Sequence, residues 1–93
     1  MHIGTLTILL RMQDTQSLKD KRQIIKGLIE TTRRKFNISI AEVDNLDAWR
    51  TATIGIACVA NDAAYVNRVL DKVVDTLESN PQVEVAEIDL EML

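Results

Sequence analysis

Hydrophobic and polar positions alternate at the start of the chain. Across residues 2–13, Leu6, Ile8, Leu10 and Met12 fall on one face of a strand, with Thr5, Thr7 and Arg11 on the other. The stretch QDTQ breaks the alternation. Ser17 followed by Asp20 then resembles a capping box in which Asp takes the place of the usual Glu or Gln. Residues 18–35 repeat with a helical period: at about 100° per residue, Leu18, Ile25, Leu28, Ile29 and Thr32 share a face. Residues 36–43 alternate again, with Phe36, Ile38 and Ile40 inward, and so do residues 50–60, with Ile54, Ile56 and Cys58 inward. Asn61 suits the N-cap of a second helix over 62–78. Its apolar face is Ala63, Val66, Leu70, Val73, Val74 and Leu77, and the SNP that follows stops it. Residues 83–91 complete the pattern as a strand with Ala86, Ile88 and Leu90 inward.

The element order is βαββαβ, which predicts an α+β protein with the ferredoxin-like fold. Right-handed crossovers put both helices on one face of a four-stranded antiparallel sheet of spatial order 4-1-3-2. Neither a linker nor a repeat interrupts residues 1–93, so one domain is expected. In this topology the end of the first strand, the start of the first helix and the turn between the second and third strands share one edge. SLKDKR (17–22) and VDNLDAW (43–49) are therefore expected neighbours, although they lie more than twenty residues apart.

Composition adds three constraints. Apolar residues make up 46% of the chain, enough for one core, and the lone cysteine excludes an intrachain disulfide and suits a reducing compartment. The apolar run at the N-terminus is too short to span a membrane, and no basic segment or small-residue cleavage site accompanies it, so a cytoplasmic protein is expected. The net charge of −3 is unevenly spread: Ser17–Phe36 carries +5 and the rest −8. That asymmetry bears on partners rather than on fold.

Candidate chemistry concentrates at the shared edge. Glu42, Asp44 and Asp47 lie close together, and three such oxygens could hold a hard cation for a metal-dependent enzyme. No calcium-loop spacing supports this, the single His2 belongs to the opposite edge, and a turn that balances Lys19, Lys21 and Arg22 explains the acids more simply. No metal, cofactor or catalytic residue is assigned. Lys21 points near the apolar face of its helix and is expected to be a partly buried ammonium paired with a carboxylate. Trp49 is expected to pack over the edge and the stems of Lys21 or Arg50, the other reading being an exposed binding anchor. Lys19, Arg22, Lys26 and Arg33, with Arg34 and Arg50 nearby, form a basic stripe that reads either as a solvated face or as a surface for phosphates. Cys58 is expected in the core as packing. The middle strands carry no aromatic residue for base stacking, so their open face is not that of an RNA-recognition sheet. Its small and β-branched residues (Thr5, Thr7, Leu9, Ala41, Val43, Ala57, Val59) suit instead an interface between two copies of the chain.

Across SLKDKR, FNISIAEVDNLDAWRTATIGIACVAND and VNRVLDKV the chain resembles the YlxP-like family of small bacterial proteins, a family of unknown function. The resemblance implies the same ferredoxin-like fold. It also implies a role around the ribosome, because genes of the family often lie beside those for translation initiation factor two and ribosome-binding factor A. The leading expectation is a non-enzymatic protein that contacts ribosomal RNA or ribosomal particles through the basic stripe. The alternative is a homo-oligomeric regulatory domain that binds a small anion at the charged edge.

Overall fold

A computed structural model describes residues 1–93. The elements are β1 (His2–Arg11), α1 (Leu18–Lys35), β2 (Ser39–Asp44), β3 (Thr51–Ala60), α2 (Ala63–Glu78) and β4 (Glu84–Met92). All strand pairings are antiparallel and the sheet order is β2-β3-β1-β4, the expected order read from the other edge. The fold is therefore the α+β ferredoxin-like sandwich that the hydrophobic pattern predicts. None of the helices is long and apolar enough to cross a membrane.

Local signals explain why the elements begin and end where they do. Ser17 Oγ accepts the amide of Asp20 at 3.1 Å, and the Asp20 carboxylate accepts the amide of Gln16. This is the expected capping box in a shifted form, in which Asp20 takes the amide one residue before the cap. Arg33, Arg34 and Lys35 fill the last turn of α1, where cations complement the helix dipole. Several boundaries differ from expectation by one or a few residues. Phe36 is the C-cap of α1, so β2 starts only at Ser39. Asp62 rather than Asn61 caps α2: its carboxylate accepts the Ala64 amide and also sets a negative charge against the helix N-terminus.

One contiguous core fills the space between sheet and helices. Leu6, Ile8, Leu10 and Met12 from β1 and its exit meet Ala52, Ile54, Ile56 and Cys58 from β3. Ile40, Ile25 and Leu28 close one side, and Val66, Leu70, Val73 and Leu77 of α2 close the other. Phe36 and Ile38 are half-buried against this cluster. Thr32, also buried, satisfies its hydroxyl by donating to the Leu28 carbonyl at 2.7 Å.

β4 departs from its expected pattern. Leu9 pairs with Glu87 but Leu10 pairs with Val85, so Ala86 has no partner and the strand bulges there. The extra residue moves the inward positions before it from Ala86 to Val83 and Val85, which pack on the core. Beyond the bulge, Ile88 and Leu90 pair with Ile8 and Leu6 and so lie on the helix face as expected. They remain 47% and 37% exposed, because α2 lies chiefly over β1 and β3.

Two glycines make opposite predictions. A Cβ at Gly4 would lie 2.7 Å from Val66 Cγ1 and 2.8 Å from Leu70 Cδ1, both in the packed core, whereas a Cβ at Gly27 in α1 would meet nothing within 4 Å. Gly4→Ala is therefore expected to destabilise by about 1–3 kcal/mol through overpacking. Gly27→Ala is expected to stabilise by roughly 0.5–1 kcal/mol through helix propensity. Urea unfolding of the two variants checks both signs.

Candidate functional site

The expected meeting of SLKDKR with the β2–β3 turn is present, and Lys21 makes it. Its side chain is fully buried, and its Nζ donates to the carbonyl oxygens of Asn45 at 2.6 Å and Leu46 at 3.4 Å. Nζ also lies 2.9 Å from Glu42 Oε2, whose side chain is 16% exposed. That last contact is an ion pair without hydrogen-bond alignment, so Oε2 has no directed donor although it is buried. The ammonium's directed bonds go to the turn backbone instead. Helical geometry accounts for the choice of Lys21, whose direction falls on the inner side of α1 beside buried Ile25 and Leu28.

The turn is shaped to receive that ammonium. Asn45 takes a left-handed conformation, φ 60°, which Asn tolerates better than most residues. Its amide is accepted by Asp44 Oδ1, its side-chain amide donates to Thr53 Oγ1, and its carbonyl accepts both the Ala48 amide and Lys21 Nζ. A second clasp lies beside the first. Buried Thr15 sits with Oγ1 2.7 Å from the Trp49 carbonyl and 3.0 Å from the Met12 carbonyl, and the Met12 amide donates to the Arg50 carbonyl. Nothing in the pattern QDTQ marks Thr15 beyond a polar loop; only the topology that seats it under the turn makes it a clasp.

Other expectations for this edge are corrected. Lys21–Glu42 is the only ion pair, so Asp44 and Asp47 do not neutralise Lys19 or Arg22. Those two side chains are exposed to solvent. Glu42 is committed to Lys21 on the helix side of the sheet, and no three His, Cys, Asp or Glu side chains group so as to hold a metal. Glu42, Asp44 and Asp47 therefore do not form one cluster. Trp49 is 54% exposed and makes no cation–π contact with Lys21 or Arg50; the one such contact is Arg68 over Tyr65 at 5.9 Å. At the N-terminus of α1, Ser17 Oγ accepts the Asp20 amide and the Asp20 carboxylate accepts the Gln16 amide just before the helix.

The basic stripe is present and open to solvent. Lys19, Arg22, Lys26, Arg33, Arg34 and Arg50 are all exposed. Arg22, Lys26 and Arg33 border a shallow groove between α1 and β2, with Ile25 and Ile29 at its floor and Glu30 and Glu42 on its walls. Arg33 is partly engaged, because Nη2 donates to the Ile40 carbonyl at 3.1 Å, and Arg34 Nε reaches the Glu30 carbonyl. Lys19, Arg22, Lys26 and Arg50 have no carboxylate partner.

The face of the sheet opposite the helices divides in two. On β2, β3 and the start of β1 it presents Ala41, Val43, Val59, Ala57 and Ile3, with Val43 folded over Gly55. On β4 it presents Glu87, Asp89 and Glu91 opposite Leu9, Thr7 and Thr5 of β1. The acidic half was not anticipated. It follows from the alternation of β4, which turns its carboxylates outward wherever its apolar residues turn toward the helices.

These features place the chain among ferredoxin-like α+β proteins with one buried lysine clasp and segregated surface charge. The chain belongs to the family described as "Protein of unknown function (DUF503)", whose profile matches residues 3–90. It is 34% identical over 71 residues to "Uncharacterized protein YlxP" of Bacillus subtilis (strain 168), covering 76% of this chain and 77% of that protein. Among solved structures, "De novo designed protein Foldit4" superposes with a TM-score of 0.54 at 11% identity, covering 100% of this chain and 97% of that one. That likeness shows the fold alone.

Two predictions arise at this edge. Lys21→Met removes the clasp, leaving Glu42 without its counter-charge and the Asn45 and Leu46 carbonyls without the ammonium, at an expected cost of about 2–4 kcal/mol, the partial exposure of Glu42 keeping it below a fully buried pair. Lys21→Met/Glu42→Gln should cost less than the sum of the single changes in a double-mutant cycle. Burial pushes the Cys58 thiol above its ordinary pKa. The native chain therefore holds the thiol proton more tightly than the unfolded one, so this contribution to stability is present below the unfolded thiol's pKa and is lost as pH rises through the folded one. Native Cys58 should resist alkylation at neutral pH, whereas urea-unfolded chain should react.

Proposed function

We propose that the protein is a non-enzymatic, cytoplasmic binding protein that contacts the phosphates of ribosomal RNA or ribosomal particles through α1. The observation that carries this reading is the absence of any carboxylate partner for Lys19, Arg22, Lys26 and Arg50, in a chain whose net charge is negative. Lys21 alone is ion-paired, so these four exposed cations remain available to a polyanion. Arg33 and Arg34 extend the stripe toward the end of α1, and the β2–α1 groove gives a phosphate backbone a track to follow. The gene neighbourhood implied by the YlxP-like resemblance favours a ribosomal source for that polyanion. Acidic β4 would repel a nucleic acid approaching from the other side and so restrict the contact to one face.

A second reading rests on the apolar half of the open sheet face. Val43 and Val59 are 55% and 57% exposed there, beside Ile3 and Ala41, which suits sheet-on-sheet pairing of two copies. Sedimentation over a range of concentrations distinguishes it: self-association abolished by Val59→Lys supports the pairing, and a monomer at every concentration contradicts it.

For the leading reading, binding to purified ribosomal particles or ribosomal RNA should weaken steeply and log-linearly with salt. Arg22→Glu/Lys26→Glu should abolish detectable binding at physiological salt, and Lys26→Ala alone should reduce the salt slope by about one. Binding insensitive to salt, or to the charge reversal, contradicts the proposal.

A further inference from the structure

The two edges of the sheet are finished differently. β2 is six residues long, bulges at Val43, and has its Ile40 carbonyl taken by Arg33. These are ways of closing an edge to further pairing. β4 is nine residues long, with neither proline nor lysine, and its outer side is bare. The Leu93 amide donates to the Ile3 carbonyl at 2.8 Å, so its backbone faces β1. Alternation along the strand then turns the backbone N–H and C=O groups of Ile88, Leu90 and Met92 away from β1, toward solvent.

The side chains flanking that row have a definite chemistry. On the helix side, Ile88, Leu90 and Met92 form a ledge, each between 37% and 47% exposed. Met92 Sδ lies over Gly4, beside Val66 and Leu70, so the ledge is continuous with the core under α2. On the open side, Glu87, Asp89 and Glu91 stand in a row, and none of their β1 partners is a cation. None of the three has an ion-pair partner.

We propose that β4 is a docking edge for an extended segment of another protein, one that alternates Lys or Arg with apolar residues and joins the sheet as a fifth strand. Backbone bonds to Ile88, Leu90 and Met92 supply the pairing. The partner's apolar residues continue the ledge, and its cations fall beside Glu87, Asp89 and Glu91 on the same face. Charge selects this occupant over a second copy of the chain. Two β4 strands paired about a twofold axis perpendicular to the sheet would bring both rows of carboxylates together, and like charges across paired strands repel. The inference does not depend on the role proposed for α1, which lies on the far side of the sheet.

The test uses the full chain and fluorescent peptides matched in length to β4. A peptide alternating Lys and Val should bind at least about tenfold more tightly than one alternating Glu and Val. It should also bind at least about tenfold more tightly than the same Lys/Val peptide N-methylated on the residues whose amides would meet β4. Leu90→Pro deletes an outward amide without removing a bond to β1, and should abolish binding with an unchanged circular dichroism spectrum. Should that variant unfold, Glu87→Lys/Asp89→Lys/Glu91→Lys provides the second arm, and the peptide preference should invert. The proposal is overturned if the Lys/Val peptide does not bind, if the N-methylated peptide binds as well, if folded Leu90→Pro retains binding, or if the triple variant keeps the original preference.

Discussion

A buried ammonium sets the geometry of this protein. Lys21 is the only charged side chain taken fully out of solvent, and a charge in that position is tolerated only when its hydrogen bonds and a counter-charge are supplied. Glu42 supplies the charge, and the carbonyls of Asn45 and Leu46 supply the acceptors. One side chain thereby joins the first turns of α1 to the end of β2 and to the turn that follows. The constraint matters because α1 packs mainly on β2 and only lightly on α2. Thr15, in the loop before α1, repeats the device, holding the exit of β1 to the Trp49 carbonyl. Together the two clasps decide where α1 lies and how its outer face is turned.

The surface charge follows from that placement. With Lys21 turned inward and satisfied, Lys19, Arg22 and Lys26 are carried outward by helical geometry, and no acid reaches them. At the opposite edge, β4 alternates apolar residues toward the helices with carboxylates toward the open face. A chain of small net charge thus becomes a dipolar particle with a basic helix at one edge and an acidic strand at the other. Such a particle orients in the field of a polyanion before contact, and its two edges suit partners of opposite charge. The two proposals are consequently compatible, since each draws on a different edge.

Much of this was legible in the sequence because it depends on period alone. Alternation at Leu6, Ile8 and Leu10 and helical spacing at Val66, Leu70, Val73 and Leu77 fix the core faces, and the element order then brings Lys21 to the turn acids. The angle of Lys21 on its helix also marked it as the buried cation. What period does not contain was missed. The bulge at Ala86 is one unpaired residue, and a strict alternation carries straight through it to Ala86 in place of Val83 and Val85. The exposure of Ile88 and Leu90 depends on how far α2 extends across the sheet, which no local pattern records. The choice of Glu42 as the partner of Lys21 depends on its place on the helix face of β2 beside a second bulge at Val43, with Asp44 beyond that bulge and Asp47 in the turn. Thr15 gained its role from a contact with Trp49, far away in sequence.

The most direct test of the account is a residue-resolved titration of the isotope-labelled chain with ribosomal RNA fragments, followed by backbone amide NMR. The account predicts shifts confined to the exposed side of α1 around Lys19, Arg22 and Lys26 and to the adjoining groove with β2. The amides of the Lys21 clasp and of acidic β4 should stay in place. Shifts centred on the open sheet face or on β4, or no shift at any RNA concentration, would contradict it.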